Sequence, residues 1–462
     1  MVDNKITRNV NETGLYHYLS FLTVPAPDTM FKDIKKLNPG CYLKIKYNGQ
    51  VNIKRYWDVY DNTKMLIGES EDNIAGYLLE ELKTSIDYRG ISDVSVGIFL
   101  SGGIDSSINA ALFSLNSKKE VNTFTIGYEG DNKTYQNEFY YARMVAEKIG
   151  ANYYEKKLNV GGLIDFLNEL VFYQDEPIAD PVCFPVYQVS KFAKDNGVTV
   201  CQLGEGSDEL FIGYTGWQIA SRLYKLNKLP IGLLKKIGLS LLKAIGKKDR
   251  YSYEWLRRGI QGEPIFWGGA EAFFEGEKKI LLSDRLREKF TNFSSLEAIK
   301  PILKRFNEKA WEKTPFNWMS YLDINLRLPE LLLMRVDKMS MAASLEARVP
   351  FLDNKFVELA MSIPQDIKVK NNQLKYLLKK SVKGLIPDEI INREKQGFGV
   401  PIYEWFLKEL GSFAKSKLIM FSKRTDFFNS EYLKKLLDKK EAKKIWYLLN
   451  FVLWHERWIE RK

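Results

Sequence analysis

The sequence VSVGIFLSGGIDSS, residues 94–107, decides the fold of this chain. Its first half, VSVGIFL (94–100), is a short apolar run rich in β-branched residues, which is typical of a strand buried in a parallel sheet. The second half, SGGIDSS (101–107), leads directly into a stretch with helical spacing. The two glycines allow a tight turn, so that backbone N–H groups and the helix N-terminus can face one anion. The stretch therefore predicts a phosphate-binding loop at the carboxyl end of a strand.

The side chains of this loop indicate what kind of phosphate site it is. Ser101 and Ser106 add hydroxyl donors to the backbone amides at Gly102 and Gly103. No Gly-Lys-Ser/Thr follows, which excludes a Walker A loop, and the G-x-G-x-x-G spacing of dinucleotide sites is absent. Asp105 would repel a phosphate unless a divalent cation bridged the two, so the loop implies Mg²⁺. The alternative is a Gly-Gly turn with helix-capping Ser and Asp side chains.

Strands and helices alternate on either side of this loop. Apolar, β-rich runs predict further strands at 121–128, 151–158 and 198–204. Helical spacing precedes the loop and separates the strands, over 72–88, 106–115, 137–149, 163–172 and 185–194. This alternation predicts an α/β fold, with a parallel sheet, right-handed crossovers and helices on both faces. Ligands of such sheets bind beyond the carboxyl ends of the strands.

The remainder of the chain is organised differently. After about Tyr214 the strand signals fade, and the sequence predicts a mostly helical region. Near the N-terminus, CYLKIKYNG and QVNIKRYWDV predict a hairpin with an Asn48-Gly49 turn. We therefore divide the chain into a leader hairpin and linker (1–68), an α/β core (69–215) and a helical C-terminal part (216–462).

Composition restricts the class of protein. Of the 462 residues, 45% are hydrophobic and 13% aromatic, which excludes a largely disordered chain. No apolar run approaches a membrane span and the N-terminus carries no signal-peptide pattern, so we expect a cytoplasmic protein without a transmembrane segment. The net charge of +11 would attract nucleic acid, a membrane surface or an anionic small molecule, and by itself it does not distinguish these partners.

Cysteine and histidine are too few to carry the chemistry. Cys41, Cys183 and Cys201 lack CxxC spacing and form no even set, so neither a disulfide framework nor a zinc site is predicted. His17 and His455 lie in aromatic or apolar stretches, where packed or surface histidines are expected. Carboxylates, lysine and backbone amides remain as the chemical groups of a site.

A basic amphipathic stretch, LPIGLLKKIGLSLLKAIGKK (229–248), has the composition of a membrane-surface helix. We expect instead a helix of the C-terminal part whose apolar face packs on its neighbours while its lysines are solvated. Contact with a membrane stays open as the alternative.

A second glycine-rich loop carries acidic residues. GEGSDELF (204–211) follows the last predicted strand and places Glu205 and Asp208 at its carboxyl end. In a parallel sheet this loop would face the same crevice as Asp105. Asp208 can then supply a second carboxylate to the metal. The alternative is a solvated capping loop.

These motifs carry a family resemblance. SGGxDS after a strand resembles the pyrophosphate loop of the N-type ATP pyrophosphatases, so the 69–215 core would be an ATP pyrophosphatase core. With the other motifs the resemblance sharpens to the synthetase domain of the asparagine synthetase family, over nearly the whole chain. The motifs stand in the family's order: FLSGGIDSS, DEPIADP (175–181), LGEGSDELFIGY, VDKMSMAASLEARVPFLDNKFVELA (336–360), LKYLLKK (374–380) and NREKQGFGVPIYEWF (392–406).

The resemblance implies a two-step reaction. In the family, a substrate carboxylate attacks the α-phosphate of ATP to give an acyl-adenylate and pyrophosphate, and ammonia then displaces AMP to form an amide. Asp105 and Asp208 would hold Mg²⁺ while the SGGIDSS amides stabilise the departing pyrophosphate. Leu100, Ile126 and Gly204 match positions that line the adenine and ribose pocket.

Further roles follow from the same resemblance. Glu205 would accept a proton from the attacking amine, and Lys375 would be the cation near the α-phosphate and the tetrahedral intermediate. Glu346 and Arg348, in LEARVPFLD, would form a polar pair on the substrate side of the pocket. A purely structural ion pair is the alternative for these two residues.

The sequence departs from the family at two places. Glutamine-using members begin with a catalytic cysteine, whereas here the second residue is Val2 and the leader segment starts almost immediately. We therefore expect the glutaminase domain to be absent from this chain, with nitrogen coming from free ammonia, a separate glutaminase subunit or another amine; a truncated chain or a split gene is also open. Leu203 stands where many members place Ser beside the nucleotide.

Several alternatives stay open at this point. Aspartate is the favoured carboxylate, but the same scaffold serves other acids, such as a sugar acid or a peptide, and intramolecular cyclisation. A tRNA-modifying enzyme would share SGGxDS but not LEARVPFLD or QGFGVP, so no nucleic-acid partner is expected. A degenerate, non-enzymatic scaffold is disfavoured by the intact motif residues. A homodimer is left open.

Overall fold

A computed structural model describes residues 7–117, 120–227, 232–244, 246, 251–371 and 373–461. The strands fall into two separate sheets. In chain order the strands are β1 (Cys41–Ile45), β2 (Val51–Arg55), β3 (Val96–Phe99), β4 (Asn122–Tyr128), β5 (Asn152–Leu158), β6 (Val200–Gln202) and β7 (Glu346–Arg348).

Helices make up most of the remaining structure. The first half of the chain contributes α1 (Glu12–Phe21), α2 (Glu71–Gly90), α3 (Ile104–Asn116), α4 (Phe139–Ile149), α5 (Val160–Gln174), α6 (Cys183–Asp195), α7 (Ser207–Leu210), α8 (Thr215–Asn227) and α9 (Gly232–Ala244). The second half contributes α10 (Tyr251–Gln261), α11 (Glu275–Leu281), α12 (Asp284–Lys289), α13 (Leu296–Lys309), α14 (Pro315–Asn325), α15 (Leu333–Ala342), α16 (Asn354–Met361), α17 (Gln365–Lys368), α18 (Tyr376–Ser381), α19 (Asp388–Asn392), α20 (Ile402–Phe406), α21 (Glu409–Arg424), α22 (Ser430–Asp438) and α23 (Ala442–Trp458). A π-helical turn spans Leu328–Leu332 and a 3₁₀ turn spans Pro350–Leu352.

The larger sheet is parallel throughout, with the strand order β5-β4-β3-β6-β7. β4 and then β5 are added on one side of β3, and β6, which follows them in the sequence, pairs with the other side of β3. The loops after β3 and β6 therefore leave the sheet at a topological switch point, where ligands of open α/β sheets bind. The α/β fold predicted from the sequence is confirmed, and the two glycine loops emerge side by side.

The central part of the sheet is buried because helices cover it. Six of the seven residues of β4 are buried, and its Phe124 stacks on Tyr154 of β5. The predicted strands at 94–100, 121–128, 151–158 and 198–204 correspond to β3, β4, β5 and β6. The segments that form β3, β4 and β6 are largely apolar because both faces of the sheet are covered there, whereas β5 lies at an edge and most of its residues are partly exposed.

The fifth strand, β7, was not predicted. It comes from the region that the sequence marks as mostly helical, and it consists of three residues that pair with β6 between Val200 and Gln202. The triplet Glu-Ala-Arg has no strand pattern of its own. Its extended conformation depends on the free edge of β6, which only the tertiary structure supplies.

The N-terminal segment before the hairpin packs into the body of the protein. Most of α1 is buried. The segment after it is anchored on Glu330, which lies in the π-helical turn: Thr23 donates to the Glu330 carbonyl at 2.9 Å, and the Ala26 N–H donates to its carboxylate at 3.2 Å. Lys36 adds an ion pair to the same carboxylate at 2.7 Å. The hairpin β1–β2 that follows forms with the predicted Asn48-Gly49 turn.

The basic stretch 229–248 is helical over α9, while residues 229–231, 245, 247 and 248 lie outside the described residues. We expected its apolar side chains to pack on neighbouring helices. Leu234, Ile237 and Leu241 are instead 48–63% exposed. The expectation of a packed apolar face is therefore wrong for these three positions, which recur on one side of the helix.

Within the described residues, no helix is both long enough and apolar enough to cross a membrane. The three cysteines are free, and Cys183 and Cys201 are buried. Both histidines are buried as well. His17 lies on α1 with its Nδ1 at 3.2 Å from Ser295 Oγ, and His455 is surrounded by the rings of Phe421, Phe427 and Phe451.

The burial of His17 predicts a pH dependence of stability. Burial, assisted by the nearby Lys278 ammonium, lowers the pKa of His17 from 6.5 to about 4. As the pH falls, the unfolded chain therefore binds the proton before the folded chain does. The contribution of His17 to the free energy of unfolding is present above pH 6.5 and is lost as the pH falls to about 4. Between these two pH values we expect the free energy of unfolding of wild type to fall by as much as about 3 kcal/mol more than that of His17→Gln. Denaturant unfolding at several pH values measures the difference, and a His17 ring that titrates near 6.5 by NMR would contradict it.

Candidate active site

A cavity of about 720 Å³ opens beyond the carboxyl ends of β3, β4 and β6. Its volume lies within the range of small-molecule sites. Ten of the residues predicted from the sequence line this cavity: Leu100, Ser101, Gly103, Asp105, Ser106, Ile126, Gly204, Glu205, Asp208 and Lys375. Leu203, the departure from the family pattern, lines it too.

The first glycine loop is held in shape by its own hydroxyl groups. Ser106 Oγ accepts from the Ser101 N–H at 3.2 Å and lies 3.0 Å from Ser101 Oγ. Ser107 donates to the carbonyl of Gly103 at 2.7 Å, within the first turn of α3. The loop is therefore pre-formed at the N-terminus of a 13-residue helix, which is a favourable place for an anion.

One lysine joins the two glycine loops. Lys375 Nζ lies 2.6 Å from both carboxylate oxygens of Asp105 and 2.5 Å from Asp208 Oδ1. Ser207 donates to Asp105 at 2.7 Å and fixes that carboxylate from the second loop. The lysine side chain is only 3% exposed. A single buried ammonium thus contacts two carboxylates, one from each glycine loop.

The loops approach so closely that two positions admit only glycine. A Cβ on Gly204 would lie 2.8 Å from the Cβ of Asp105. A Cβ on Gly213 would lie 1.9 Å from Asp208 Oδ1 and 2.5 Å from Lys375 Cε. At Gly204 the Cβ and backbone at the start of α3 occupy the space of a side chain, whereas a side chain at Gly213 would displace Asp208 and Lys375.

Lys375 has an unusual backbone conformation. Its φ of +54° lies in the left-handed region, which is costly for a residue with a side chain. Its N–H donates to the carbonyl of Phe211 at 3.2 Å, and α18 begins at the next residue. The surrounding structure holds the lysine in this conformation while its ammonium reaches the carboxylates.

Lys395 is a site residue that our sequence reasoning missed. Its Nζ lies 2.6 Å from Asp208 Oδ2 and 4.0 Å from Asp105 Oδ2. Burial opposes ionisation of Asp208, but the ammonium groups of Lys375 and Lys395 outweigh it and hold the pKa of Asp208 well below its ordinary value. Lys395 lies in the NREKQGFGVP motif. A charged residue close to glycines in that motif is the feature of the sequence that could have identified it as a site residue.

Arg335 is the second residue that we missed. It lies in α15, its side chain is 6% exposed, and it donates to Asp180 at 2.6 Å and to Glu205 at 2.7 Å. Burial opposes its charge, yet the two carboxylates raise the pKa of Arg335. Asp180 lies within the DEPIADP motif, but nothing in the sequence pairs that motif with Arg335.

Gly102 and the predicted pair Glu346–Arg348 lie apart from the cavity lining. The Gly102 carbonyl accepts from Arg393 at 3.0 Å, and Arg393 also binds the buried Glu138 at 2.7 Å. Arg348 binds Glu346 at 2.7 Å on β7. Its guanidinium also donates to the carbonyls of two residues at the end of α2, Arg89 and Ile91. These contacts are those of a structural ion pair, the alternative stated above, and the role of the pair on the substrate side stays a prediction.

The carboxylates present are suited to a divalent cation. Mg²⁺ is usually held by one or two carboxylates together with substrate phosphates. Asp105 and Asp208 each have an oxygen within 2.6 Å of the same lysine nitrogen, so both can reach one cation. The pre-formed first glycine loop lies directly beside them. The donor set and its surroundings fit Mg²⁺ bound together with a phosphate.

Comparison with known protein families gives two matches. The family "Asparagine synthase" matches residues 77–456, which include all the cavity residues named above. The family "Glutamine amidotransferase domain" matches residues 1–57, which contain α1 and the hairpin. Most of the predicted leader segment is therefore similar to the glutamine amidotransferase domain, whereas residues 77–456 are similar to asparagine synthase.

Individual relatives agree with the first match. The chain is 32% identical to asparagine synthetase [glutamine-hydrolyzing] 1 of Bacillus subtilis (strain 168), over 98% of this chain and 70% of that protein. It is 29% identical to a putative asparagine synthetase [glutamine-hydrolyzing] of Mycobacterium tuberculosis (strain ATCC 25618 / H37Rv), over 98% and 68% respectively. Among solved structures, an NH3-dependent NAD synthetase from Campylobacter jejuni is 15% identical, over 42% of this chain and 94% of that chain. Its TM-score is 0.22, which is too low to support a structural inference.

The family match covers most of the chain, and the residues it spans form the two glycine loops, the acidic pair and the lysines of one cavity. This chain belongs to the asparagine synthase family, a family of carbon–nitrogen ligases that use ATP to make amides.

Proposed function

We propose that this chain makes asparagine from aspartate and ammonia, with conversion of ATP to AMP and pyrophosphate through a β-aspartyl-adenylate. The observation that carries the proposal is the cluster of Lys375, Asp105 and Asp208 beside a pre-formed phosphate loop, inside a cavity large enough for a nucleotide and a small acid. The family match and the asparagine synthetase relatives support the same reaction class.

The first step forms the adenylate. A carboxylate oxygen of aspartate attacks the α-phosphorus, and the bond from that phosphorus to the bridging oxygen of pyrophosphate breaks. We assign stabilisation of the developing charge on pyrophosphate to the N-terminus of α3 and to the ammonium groups of Lys375 and Lys395. Asp105 and Asp208 would hold Mg²⁺, which supplies charge neutralisation to the phosphates when bound. Leu100, Ile126 and Gly204 line the wall assigned to adenosine.

The second step forms the amide. Ammonia attacks the acyl carbon, the carbon–oxygen bond to AMP breaks, and one proton must leave the nitrogen. Glu205 is the proposed acceptor of that proton, since it lines the cavity and its side chain is 24% exposed. The buried Arg335 fixes the Glu205 carboxylate by donating to one of its oxygens. Lys375 remains the cation proposed for the oxyanion, with Lys395 beside it.

The identity of the acid is tested directly by ATP–pyrophosphate exchange. With Mg²⁺ present, we expect L-aspartate to support exchange, and ammonia to convert aspartate to asparagine with one AMP released per amide. L-Glutamate, a sugar acid and a short peptide serve as the comparison acids. If exchange occurs only with one of these, the asparagine assignment fails while ATP-dependent amide synthesis on another carboxylate survives.

The acidic pair gives a second prediction. Asp105→Asn removes one of two carboxylates from the proposed Mg²⁺ site, so we expect aspartate-dependent exchange to fall by about 100-fold or more. Asp93→Asn, at an exposed position before β3, is the matched control and should exchange at the wild-type rate. If Asp105→Asn catalyses exchange at the wild-type rate at every Mg²⁺ concentration, Asp105 is not a ligand of the metal.

The close approach of the loops gives a third prediction. Gly213→Ala places a methyl group where Asp208 and Lys375 meet, and a displacement of about 1 Å at a reacting centre can lower the rate roughly 100-fold. A Cβ at Gly216, three residues further on, has no atom within 4 Å. We expect Gly213→Ala to lose exchange while Gly216→Ala retains it. Equal rates for both variants would show that the cluster geometry is not needed.

A further inference from the structure

Helix α9 presents an apolar stripe to solvent. Leu234, Ile237 and Leu241 follow the i, i+3, i+7 spacing that places side chains on one side of a helix. These residues are 63%, 48% and 60% exposed. Gly238 lies on another side of the helix, where an added Cβ would be 3.5 Å from Cδ2 of Leu256 in α10. The helix therefore packs on α10 and leaves the stripe uncovered by the described part of the chain.

Two exposed lysines lie beside this stripe. Lys236 and Lys243 are separated by two helical turns, so they form one line along α9, roughly 100–120° around the helix axis from Ile237. Their flexible stems allow the ammonium groups to reach a neighbouring surface. Lys235 has a different task, since it donates to the carbonyl of Asn227 at 2.6 Å and ties α9 to the end of α8. The exposed side of α9 thus combines an aliphatic stripe with a line of positive charge.

The charge of the surrounding segment has one sign. Residues 215–244, which cover α8 and α9, contain six lysine or arginine residues and no aspartate or glutamate. Arg222 and Lys225 of α8 are exposed, as are the two lysines beside the stripe. Such a surface attracts an anionic partner, and it disfavours a second copy of itself because the two copies would repel one another.

We propose that α9 binds the surface of an anionic lipid bilayer, with Leu234, Ile237 and Leu241 inserted at the acyl boundary and Lys236 and Lys243 at the headgroups. Amphipathic helices with an aliphatic stripe and lysines bind in the plane of the interface. The 13 residues of α9 span about 20 Å, whereas a bilayer core is about 30 Å thick. The helix would therefore lie on the bilayer and not cross it.

Two other anionic partners fit these observations less well. A nucleic acid would pair with the lysines and leave the aliphatic stripe in water, because it is bound through cations and through rings that stack on bases. Protein interfaces obtain most of their binding energy from Trp, Tyr and Arg, none of which occurs in α9. Leucine, isoleucine and lysine suffice for a bilayer, which requires no matching pocket.

The proposed lipid surface is connected to the cavity by one helix. α8 begins at the cavity, where its residues Thr215 and Gln218 belong to the lining. It ends at Asn227, whose carbonyl accepts from Lys235 of α9. The 13 residues between these ends span about 20 Å. A bilayer bound at α9 would thus be attached to an element that forms part of the cavity wall.

The test measures co-sedimentation of the full chain with lipid vesicles. One set contains phosphatidylcholine and phosphatidylglycerol in equal amounts, and the other contains phosphatidylcholine alone. The stripe variant is Leu234→Gln with Leu241→Gln, and the charge variant is Lys236→Gln with Lys243→Gln. Glutamine is a good helix former and all four positions are exposed, so both variants should fold.

Each variant has a matched control at exposed positions in other parts of the chain. Leu115→Gln with Ile280→Gln removes two exposed apolar side chains from α3 and α11. Lys423→Gln with Lys439→Gln removes two exposed lysines near the C-terminal end of the chain. Circular dichroism and thermal unfolding establish that every variant is folded. The readout contains no substrate, so its outcome is independent of the proposed reaction.

We expect wild type and both controls to sediment with the mixed vesicles, and to do so less at high salt. Both α9 variants should bind on the order of tenfold more weakly, because each loses one of the two contributions to binding. Wild type that stays in solution, wild type that binds phosphatidylcholine alone equally well, or α9 variants that bind as wild type does would each overturn the proposal. Binding of wild type to duplex DNA or to an acidic protein, without binding to vesicles, would overturn it as well.

Discussion

The attraction between one buried ammonium group and two carboxylates is the interaction on which this site depends. Lys375 lies within 2.6 Å of Asp105 and Asp208, which emerge from different strands and would repel one another without it. Removing one partner from a buried ion cluster leaves an uncompensated charge, which is strongly destabilising. A Cβ at Gly213 would displace Asp208 and Lys375, and a Cβ at Gly204 would meet the Cβ and backbone of Asp105. The ion cluster thus fixes the distance between the two loops.

Charge is balanced throughout the cavity by pairs drawn from distant parts of the chain. Arg335 binds Glu205 and Asp180, while Arg393 binds Glu138 and the backbone of the first glycine loop. Each pair joins the α/β core to the helical part. A site of this kind can receive a polyanion because its cations are already oriented and need little reorganisation. The net charge of +11, which alone could indicate nucleic acid, is consistent with this use.

The N-terminal segment belongs to two environments. Its helix α1 and the residues anchored on Glu330 are part of the core, and Glu330 lies in the π-helical turn that precedes Arg335 on α15. The hairpin that follows contributes nothing to that core. The segment therefore joins a buried helix to a hairpin whose strands are mostly exposed.

The sequence by itself determined the α/β class, four of the five strands of the parallel sheet and most of the cavity, because buried parallel strands and glycine loops are local patterns. It also determined Asp105 and Asp208, which lie in such loops. The tertiary structure alone decided the roles of Lys395 and Arg335, which are distant in sequence from the carboxylates that they bind. It likewise decided that Glu346 and Arg348 form an edge strand outside the cavity, because pairing with β6 depends on an edge that no local pattern reveals.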